Sequence, residues 1–366
     1  MKPLLVAFVI NKIKLTGFLV LLLVFPLFSQ TDNHDNDILL GDLKIFESNV
    51  PLNWSLTFDI RKFRKEKADS EKLPAVLTLH HQNGKTKKNI SLKARGEARK
   101  TICYFPPIKL KLKDVFPDDP YLSKVKNQKL VTHCNMSKSY TQTILREYLI
   151  YKIYNLITEK SFRVRLVDMD YIDSEDNVKP FTRYAFLIED IDILADRNNS
   201  FVVGSKNLRM KHVNRSSMIQ LSLFQYMIGN VDWSITALHN VKLLRVNELG
   251  EDLPYAIPYD FDYAGFVNAT YAINVQNPKI TSVKTRMFVG ICYSKEDYQT
   301  IAYRFSEKKK EITNLITNFD LLEAKTKKRL VSYIDDFHEL IEQDDFYEEY
   351  VLPVCKNINN DGLESD

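Results

Sequence analysis

Short segments in which apolar and polar residues alternate fill the region from residue 54 to residue 134, and they constrain the fold more than any other feature. The segments are WSLTFDI (54–60), PAVLTLHH (74–81), KNISLKARG (88–96), FPPIKLKLK (105–113) and NQKLVTHC (127–134). Alternation with period two is typical of strands that bury one face. Asn83-Gly84 between the second and third segments indicates a hairpin turn. We therefore expect this region to be mostly a sheet.

A long helix and two further strands are predicted after the sheet. Residues 140–157 carry apolar side chains at helical spacing, and Ser137 or Ser139 can cap this helix. The strand-like segments FRVRLVDMDYID (162–173) and FTRYAFLIED (181–190) follow. The chain thus returns to strands after one helix.

The C-terminal half is predicted to be largely helical. An apolar helix at 214–228 can end at Gly229, and long amphipathic helices fill 295–350. The order of these elements predicts an α+β fold of the protein-kinase type with two lobes. We expect a sheet-rich N-lobe at 38–190 and a mainly helical C-lobe at 191–366.

The N-terminus has the features of a secretory signal peptide. Three lysines flank an apolar run at 15–28, which Pro26 interrupts and Ser29 ends. We expect residues 1–29 to be removed, with 30–37 as a polar lead-in and no stable membrane insertion afterwards. The alternative is an uncleaved N-terminal anchor. The protein is therefore predicted to be exported: periplasmic, on the cell surface or secreted.

The net charge argues against nucleic acid and membrane surfaces as partners. The whole chain has 51 Lys and Arg against 47 Asp and Glu. Removing residues 1–29 takes away three lysines and no acidic residue, which leaves 48 basic residues against 47 acidic ones. A nearly neutral mature chain offers no electrostatic basis for binding either polyanion.

The four cysteines lack the spacing of a zinc site. In an exported chain they can form disulfides, with three possible pairings. We favour a bridge between Cys103 and Cys134, because both lie beside predicted strands of the same lobe. Four buried free thiols are the alternative.

Two segments in the C-terminal half carry the clearest chemistry. They are GNVDWSITALHNVKLL (229–244) and PYDFDYAG (258–265). Asn240, Asp260 and Asp262 supply the hard oxygen ligands that Mg²⁺ prefers. We expect a hairpin that turns at NELGED to pair the strands of the two segments, which brings Asp232 and Asn240 to the same cleft as Asp260.

These motifs resemble those of the spore-coat CotH-like kinase family, and more closely those of a group of uncharacterised exported bacterial proteins of that kind. The resembling segments lie between residues 50 and 295 and include KARGEARKTICYFPPIKLKLK, KLVTHC, LREYLIYKIYNLITEKSFRVRLVDMDYID and FLIEDID. Active members of the family transfer a phosphoryl group from ATP to protein hydroxyls. The resemblance therefore implies ATP and Mg²⁺ as cofactors, and a protein substrate that the sequence does not identify.

The resemblance also implies roles for the residues of the two aspartate-containing segments. Asp232 matches the catalytic-loop aspartate, which orients the acceptor hydroxyl and takes its proton. Asn240 matches the loop asparagine that holds a metal ion, and Asp260 matches a metal-binding aspartate with Asp262 beside it. The spacing of eight between Asp232 and Asn240 departs from the five of ordinary kinases, and we interpret His239 as a structural hydrogen-bonding residue.

Residues nearer the N-terminus complete the implied site. Lys109 or Lys111 is the candidate for the lysine that grips the phosphates, and Glu147 is the candidate for its helix partner. Glu189 lies near the expected hinge. The chain has no Gly-rich phosphate loop, and ARGEARK offers Arg95 and two further basic residues in its place.

Less specific interpretations compete with these assignments. Asp232 can cap the turn after the preceding helix, and the lysines of FPPIKLKLK can form a solvated strand face. A degenerate kinase fold can serve as a non-catalytic binding or surface-assembly protein. A third class is a metal-dependent transferase that holds a nucleotide-sugar through the Asp-Phe-Asp triplet, for which an open crevice at the strand ends of a parallel sheet is expected.

Overall fold

The computed structural model describes residues 45–82, 84–205, 208–273 and 282–354. The predicted signal peptide and the polar lead-in lie outside the described residues. Across the described ranges, none of the helices combines the length and the apolar character needed to cross a membrane.

Seven strands form a closed barrel. They are β1 (Leu52–Phe58), β2 (Leu73–His81), β3 (Gly84–Ala94), β4 (Ile108–Lys111), β5 (Asn127–Val131), β6 (Val164–Asp173) and β7 (Phe181–Ile188). Their order around the barrel is β1-β2-β3-β4-β5-β7-β6. Neighbouring strands run antiparallel except for β1 and β6, whose parallel pairing closes the barrel.

This closure corrects the two-lobed kinase-like fold expected from the sequence. A sheet that closes on itself is not the N-lobe of a bilobal kinase. The strands themselves were predicted, but the pairing of Leu52 with Val167 joins positions more than a hundred residues apart. Alternation of side chains indicates that a segment is a strand, and it carries no information about a distant partner. The division at residue 190 stays a prediction.

Alternate side chains fill the interior of the barrel. Leu56, Leu92 and Leu110 are completely buried there, and Leu92 lies directly opposite Leu110. Burying each such leucine contributes about 1.5 to 3 kcal/mol. Lys109 and Lys111 alternate with these positions and point out of the barrel, which confirms that the lysines of β4 share one face.

Helices connect and follow the strands, and four of the α-helices named here lie in the C-terminal half. They are α1 (Ile60–Lys65), α2 (Glu97–Ile102), α3 (Lys138–Ile157), α4 (Ile191–Arg197), α5 (Arg215–Ile228), α6 (Lys295–Thr317) and α7 (Ala324–Ile341), with 3₁₀ turns at Leu122–Lys124 and Met210–His212 and a π-helical segment at Tyr347–Val351. The helix expected at 140–157 is confirmed as α3, with Ser137 as its N-cap residue.

The ends of α5 lie where the sequence predicts them. The Asn214 side chain accepts a hydrogen bond from the Ser217 N–H at 3.1 Å, which satisfies a free donor of the first turn. Gly229 adopts a left-handed conformation with φ 65° and ends the helix. A side chain at Gly229 would collide with the Tyr333 hydroxyl, so glycine is required by space as well as by conformation.

A second sheet has the order β10-β9-β8 and consists of β8 (Ser200–Val203), β9 (Val241–Val246) and β10 (Tyr255–Pro258). The antiparallel pairing of β9 and β10, from Val241 opposite Pro258 to Leu244 opposite Tyr255, confirms the predicted hairpin. The start of β9 and the end of β10 lie side by side, and the candidate site residues are found at this end of the hairpin.

The helix α3 joins the barrel to the C-terminal half. Its buried residues Leu149 and Ile153 share one hydrophobic cluster with Phe186 on the outer face of β7. Phe224 of α5 and Phe261, which follows β10, belong to the same cluster. The outer face of the barrel and the hairpin β9–β10 are therefore held against a common helix.

The predicted disulfide between Cys103 and Cys134 is present, with Cα atoms 4.6 Å apart. Cys103 directly follows α2, and Cys134 lies shortly before α3. Cys292 is also disulfide-bonded, and among the described residues no cysteine is free. The alternative of free thiols is therefore wrong for these three cysteines.

A buried histidine makes the stability of the barrel sensitive to acid. His133 is completely buried and stacks on Phe105 at 4.8 Å between ring centres. Neither ring nitrogen has a hydrogen-bond partner within the described part of the chain. Burial, followed by the nearby charge of Arg183, lowers the pKa of His133 to about 3.

We expect the His133→Phe variant to lose part of the acid sensitivity of the wild type. In the unfolded chain His133 takes up a proton near pH 6.5, whereas in the folded protein it stays neutral down to about pH 3. Its contribution to stability is therefore lost as the pH falls through this window, by about 1.4 kcal/mol per pH unit. Urea unfolding at pH 4.5, 5.5 and 6.5 measures the slope, with His80→Gln at an exposed position as control. Equal slopes for His133→Phe and wild type would contradict the expectation.

Candidate functional site

Asn240 and Asp260 lie at the same end of the hairpin β9–β10. The Tyr259 N–H donates a hydrogen bond to the Asn240 carbonyl oxygen at 2.9 Å, one position before Asp260. Both Asn240 (φ 52°) and Asp260 (φ 62°) have left-handed backbones, which asparagine and aspartate adopt more readily than most residues. The prediction that this hairpin brings the two residues together is confirmed.

The long spacing between Asp232 and Asn240 is accommodated by a tight turn. Ser234 and His239 pair as an antiparallel bridge with two backbone hydrogen bonds of 3.0 Å. Ile235 anchors the turn in the core, with 1% of its surface exposed. The turn therefore places Asn240 beside Asp232. The Asn240 Nδ2 donates hydrogen bonds to the backbone oxygen of Asp232 at 2.8 Å and to the Oδ2 of the Asp232 carboxylate at 3.1 Å.

The Asp232 carboxylate is oriented by two neighbours. Asn240 bonds to Oδ2, and the Nε2 of His239 lies 2.8 Å from Oδ1. A carboxylate only accepts hydrogen bonds, so Nε2 is the donor in this contact. The side chain of Asp232 is 18% exposed, which leaves it accessible to a substrate. His239 has the hydrogen-bonding role expected from the sequence.

Asp262 belongs to a buried ion-pair cluster. Arg99 Nε donates to Asp262 Oδ2 at 2.8 Å, and Arg99 Nη2 donates to Glu147 Oε2 at 2.7 Å. The Tyr271 hydroxyl is a further hydrogen-bond partner of Asp262. Burial raises the pKa of both carboxyl groups, and the charge of Arg99 opposes this effect. The Asp262 carboxylate is thus engaged by protein groups.

The helix partner expected for a phosphate-binding lysine has a different role. Glu147 pairs with Arg99, and not with Lys109 or Lys111. One turn further along α3, the Tyr151 hydroxyl accepts a hydrogen bond from the Asp260 N–H at 2.9 Å. The helix α3 therefore supports the segment after β10 at two points.

Three lysines form a row across the outer face of the barrel. Lys93 on β3, Lys109 on β4 and Lys129 on β5 lie directly opposite one another in the antiparallel pairing. Like charges in such positions destabilise a sheet. Burial, followed by the charges of Lys93, Lys111 and Arg95, lowers the pKa of Lys109. This face is therefore suited to an anion.

Lys129 connects the lysine row to the hairpin end. Its ammonium group lies 5.2 Å from the centre of the Tyr259 ring. Tyr259 immediately precedes Asp260 in the chain. Burial, followed by the charges of Arg95 and Lys242, lowers the pKa of Lys129 to about 8, and Asp260 opposes the shift. Lys129 is not predictable as a site residue from the sequence, because only the register of β4 and β5 reveals that it lies opposite Lys109.

The remaining predicted residues occupy two different settings. Arg95 directly follows β3, and its charge acts on both Lys109 and Lys129. Glu189, expected near a hinge, is completely buried and pairs with Arg163 at 2.7 Å and with Arg197 at 3.0 Å. Glu189 thus holds the end of β7 in place through ion pairs.

The described residues offer oxygen atoms at the hairpin end but no preformed metal site. Within the described ranges, no group of three or more His, Cys, Asp or Glu side chains is arranged to hold a metal ion. Mg²⁺ usually takes one or two carboxylates and completes its shell with phosphate and water oxygens. Asn240 and Asp260 bring one amide and one carboxylate to the hairpin end, whereas Asp262 bonds to Arg99.

Comparisons with known proteins leave the family of this chain open. No model of a protein family matches the sequence, and no curated protein matches it. Membership of the CotH-like kinase family therefore stays a prediction that rests on the motifs.

Proposed function

We propose that this protein is an exported phosphotransferase that moves the γ-phosphoryl group of Mg-ATP to a protein hydroxyl. One observation carries the proposal. A row of lysines on the barrel, ending at Lys129, faces a hairpin end that offers Asp260, Asn240 and Asp232. Phosphoryl transfer needs cations on the phosphates, oxygen ligands for a metal and a base near the acceptor, and little covalent chemistry.

The basic residues bind the phosphates in this proposal. Lys109, Lys129 and Arg95 lie together, and their mutual repulsion favours a ligand that carries several negative charges. Asn240 and Asp260 hold Mg²⁺, which neutralises phosphate charge when it is bound. The disulfide between Cys103 and Cys134 supports export, since such bonds persist in oxidising compartments.

Asp232 acts as the base. Its carboxylate takes the proton of the acceptor hydroxyl while the acceptor oxygen bonds to the γ-phosphorus. The bond between that phosphorus and the bridging β–γ oxygen breaks, and ADP leaves with the bonding electrons. The hydrogen bonds from Asn240 and His239 fix the orientation of the carboxylate for this transfer.

A non-catalytic binding or surface-assembly protein is the second candidate. The observation that favours it is the bond between Asp262 and Arg99, which leaves Asp260 as the carboxylate available for a metal beside Asn240. Under this alternative the lysine row binds an anionic partner and no phosphoryl group is transferred.

Thermal denaturation with Mg-ATP tests the binding step. A ligand present at a hundredfold excess over its Kd stabilises the folded protein by about 2.7 kcal/mol. We expect wild type to show this shift, and we expect Asp260→Asn and Lys129→Met to abolish it. Lys113→Met is the control, because Lys113 is 71% exposed and lies beyond the end of β4.

Asp232→Asn separates binding from transfer. We expect this variant to keep the Mg-ATP shift and to lose phosphoryl transfer by about 10² to 10⁴-fold, since general-base catalysis contributes that much. If wild type shows no shift, the enzyme proposal fails and the binding protein takes its place. If Asp232→Asn loses the shift as well, Asp232 is a metal ligand or a structural residue.

A further inference from the structure

Lys242 lies close to the lysine row although it comes from a different sheet. It is the second residue of β9, whereas Lys129 belongs to β5 of the barrel. The Lys242 ammonium group lies 5.4 Å from the centre of the Tyr259 ring, and that of Lys129 lies 5.2 Å from the same centre. Two lysines from separate sheets therefore converge on one aromatic ring.

The charges of Asp260 and Asp190 act favourably on Lys129 from a distance, but within the described part of the chain no carboxylate pairs directly with either ammonium group. Among the described residues, neither Lys129 nor Lys242 forms a salt bridge within 4.0 Å. The charge of Lys242 instead acts unfavourably on Lys129, as does that of Arg95. Repulsion of this kind is relieved by an anion with several charges, because a single negative charge neutralises only one of the two lysines.

The Tyr259 ring is held firmly enough to position both lysines. Its backbone N–H bonds to Asn240, and its ring packs against Phe162 at 5.8 Å between centres. A neutral tyrosine attracts ammonium groups through its ring face.

We propose that Lys129 and Lys242 form a polyphosphate clamp, with one lysine from each sheet and Tyr259 as the positioning residue between them. The inference rests on the proposed function and extends it, because it assigns the hairpin sheet a direct part in phosphate binding. The ligand is the polyphosphate chain of a nucleoside triphosphate or a free inorganic polyphosphate. A bound polyphosphate contacts both Lys129 of the barrel and Lys242 of the hairpin β9–β10.

Calorimetric titration of the full mature protein with inorganic tripolyphosphate, without metal, tests the clamp. We expect wild type to bind and Lys242→Met to bind at least about tenfold more weakly, since a lost charged hydrogen bond has this effect. Lys242→Arg keeps the charge and should stay within about threefold of wild type. Lys160→Met is the matched control, because Lys160 lies 4.7 Å from the Tyr255 ring of the same sheet.

Two variants of the ring test its positioning role. Tyr259→Phe keeps the ring face and should bind as wild type does, whereas Tyr259→Leu should weaken binding about tenfold. If Tyr259→Phe binds tripolyphosphate as wild type does, the aromatic ring and not the hydroxyl group of Tyr259 is responsible for the effect. Equal weakening by both variants, or none by Tyr259→Leu, overturns the role of Tyr259.

The outcomes distinguish this inference from the proposed function. If wild type does not bind tripolyphosphate, or if Lys242→Met binds it as wild type does, the clamp is overturned. If tripolyphosphate binds through Lys242 but Mg-ATP gives neither binding nor transfer, the clamp stands for a free polyphosphate and the phosphotransferase proposal fails. Tighter binding of Mg-ATP than of tripolyphosphate, with the same dependence on Lys242, identifies a nucleotide as the ligand.

Discussion

Arg99→Met should lower the free energy of unfolding by about 3 to 5 kcal/mol, the effect of removing one partner from a buried ion pair. Arg99 is the cation shared by Glu147, whose side chain is completely buried, and Asp262, whose side chain is 7% exposed. Without it, both carboxylates keep the penalty of burial and lose the charge that offsets it. Urea unfolding at pH 7 measures the loss.

An exposed ion pair provides the matched control. Arg245 bonds to Asp252 at 2.9 Å, but the two side chains are 44% and 83% exposed. Solvent screens such a pair, so Arg245→Met should cost at most about 1 kcal/mol. If Arg99→Met costs no more than Arg245→Met, the buried cluster does not stabilise the fold as we describe.

The pH dependence gives a second check on Arg99→Met. Burial raises the pKa of Glu147 and of Asp262 above the values of the unfolded chain. For groups with a raised folded pKa, stability is lost as the pH rises above the unfolded values. The deficit of Arg99→Met relative to wild type should therefore be larger at pH 8 than at pH 5, because protonation relieves the two uncompensated charges. A deficit that grows towards pH 5 contradicts this account.

Replacing both Cys103 and Cys134 by alanine should lower the free energy of unfolding by about 3 to 4 kcal/mol. The two cysteines are 31 residues apart in the sequence. Without the bridge the unfolded chain gains conformational entropy, and for a loop of this length that gain corresponds to the stated loss of stability. Urea unfolding measures it, and a reductant should destabilise wild type more than the double variant. The reductant retains some effect on the variant, because Cys292 is also disulfide-bonded. A loss below about 1 kcal/mol contradicts the expectation.

The disulfide and the Arg99 cluster should be coupled. Cys103 directly follows the helix that carries Arg99, and Cys134 lies shortly before the helix that carries Glu147. The bridge thus holds together the two helices that meet in this ion pair. Combining Arg99→Met with the double cysteine variant should cost less than the two changes do separately, by at least about 0.5 kcal/mol. Strict additivity shows that the bridge does not support the cluster.

Local features of this protein were predictable because the signals that determine them lie in neighbouring residues. The alternation of Lys109 and Leu110 indicates a strand with one buried face, and Asn214 and Gly229 mark the ends of α5. The hairpin β9–β10 was also predictable, since its two strands follow each other in the chain. The pairing of Cys103 with Cys134 followed from their positions beside strands of one region.

The candidate site was predictable only in part. The proximity of Asp232, Asn240 and Asp260 follows from one turn and one hairpin, both of which are local. The ion pair between Asp262 and Arg99 does not follow from local sequence signals, because α2 approaches the segment after β10 only in the folded chain. A charged residue in a sequence shows that it needs a partner or solvent, and it does not show which of the two it finds.

The sequence by itself determined the type and position of most strands and helices and the proximity of Asn240 and Asp260 at the hairpin end. It favoured the bridge between Cys103 and Cys134, which the structure confirms. Only the tertiary structure decided the closure of the barrel through β1 and β6, and the alignment of Lys129 with Lys109 across two strands. The physical reason is the range of the interactions. Periodicity, capping and turns act over a few residues, whereas strand register and buried ion pairs depend on which distant segments meet.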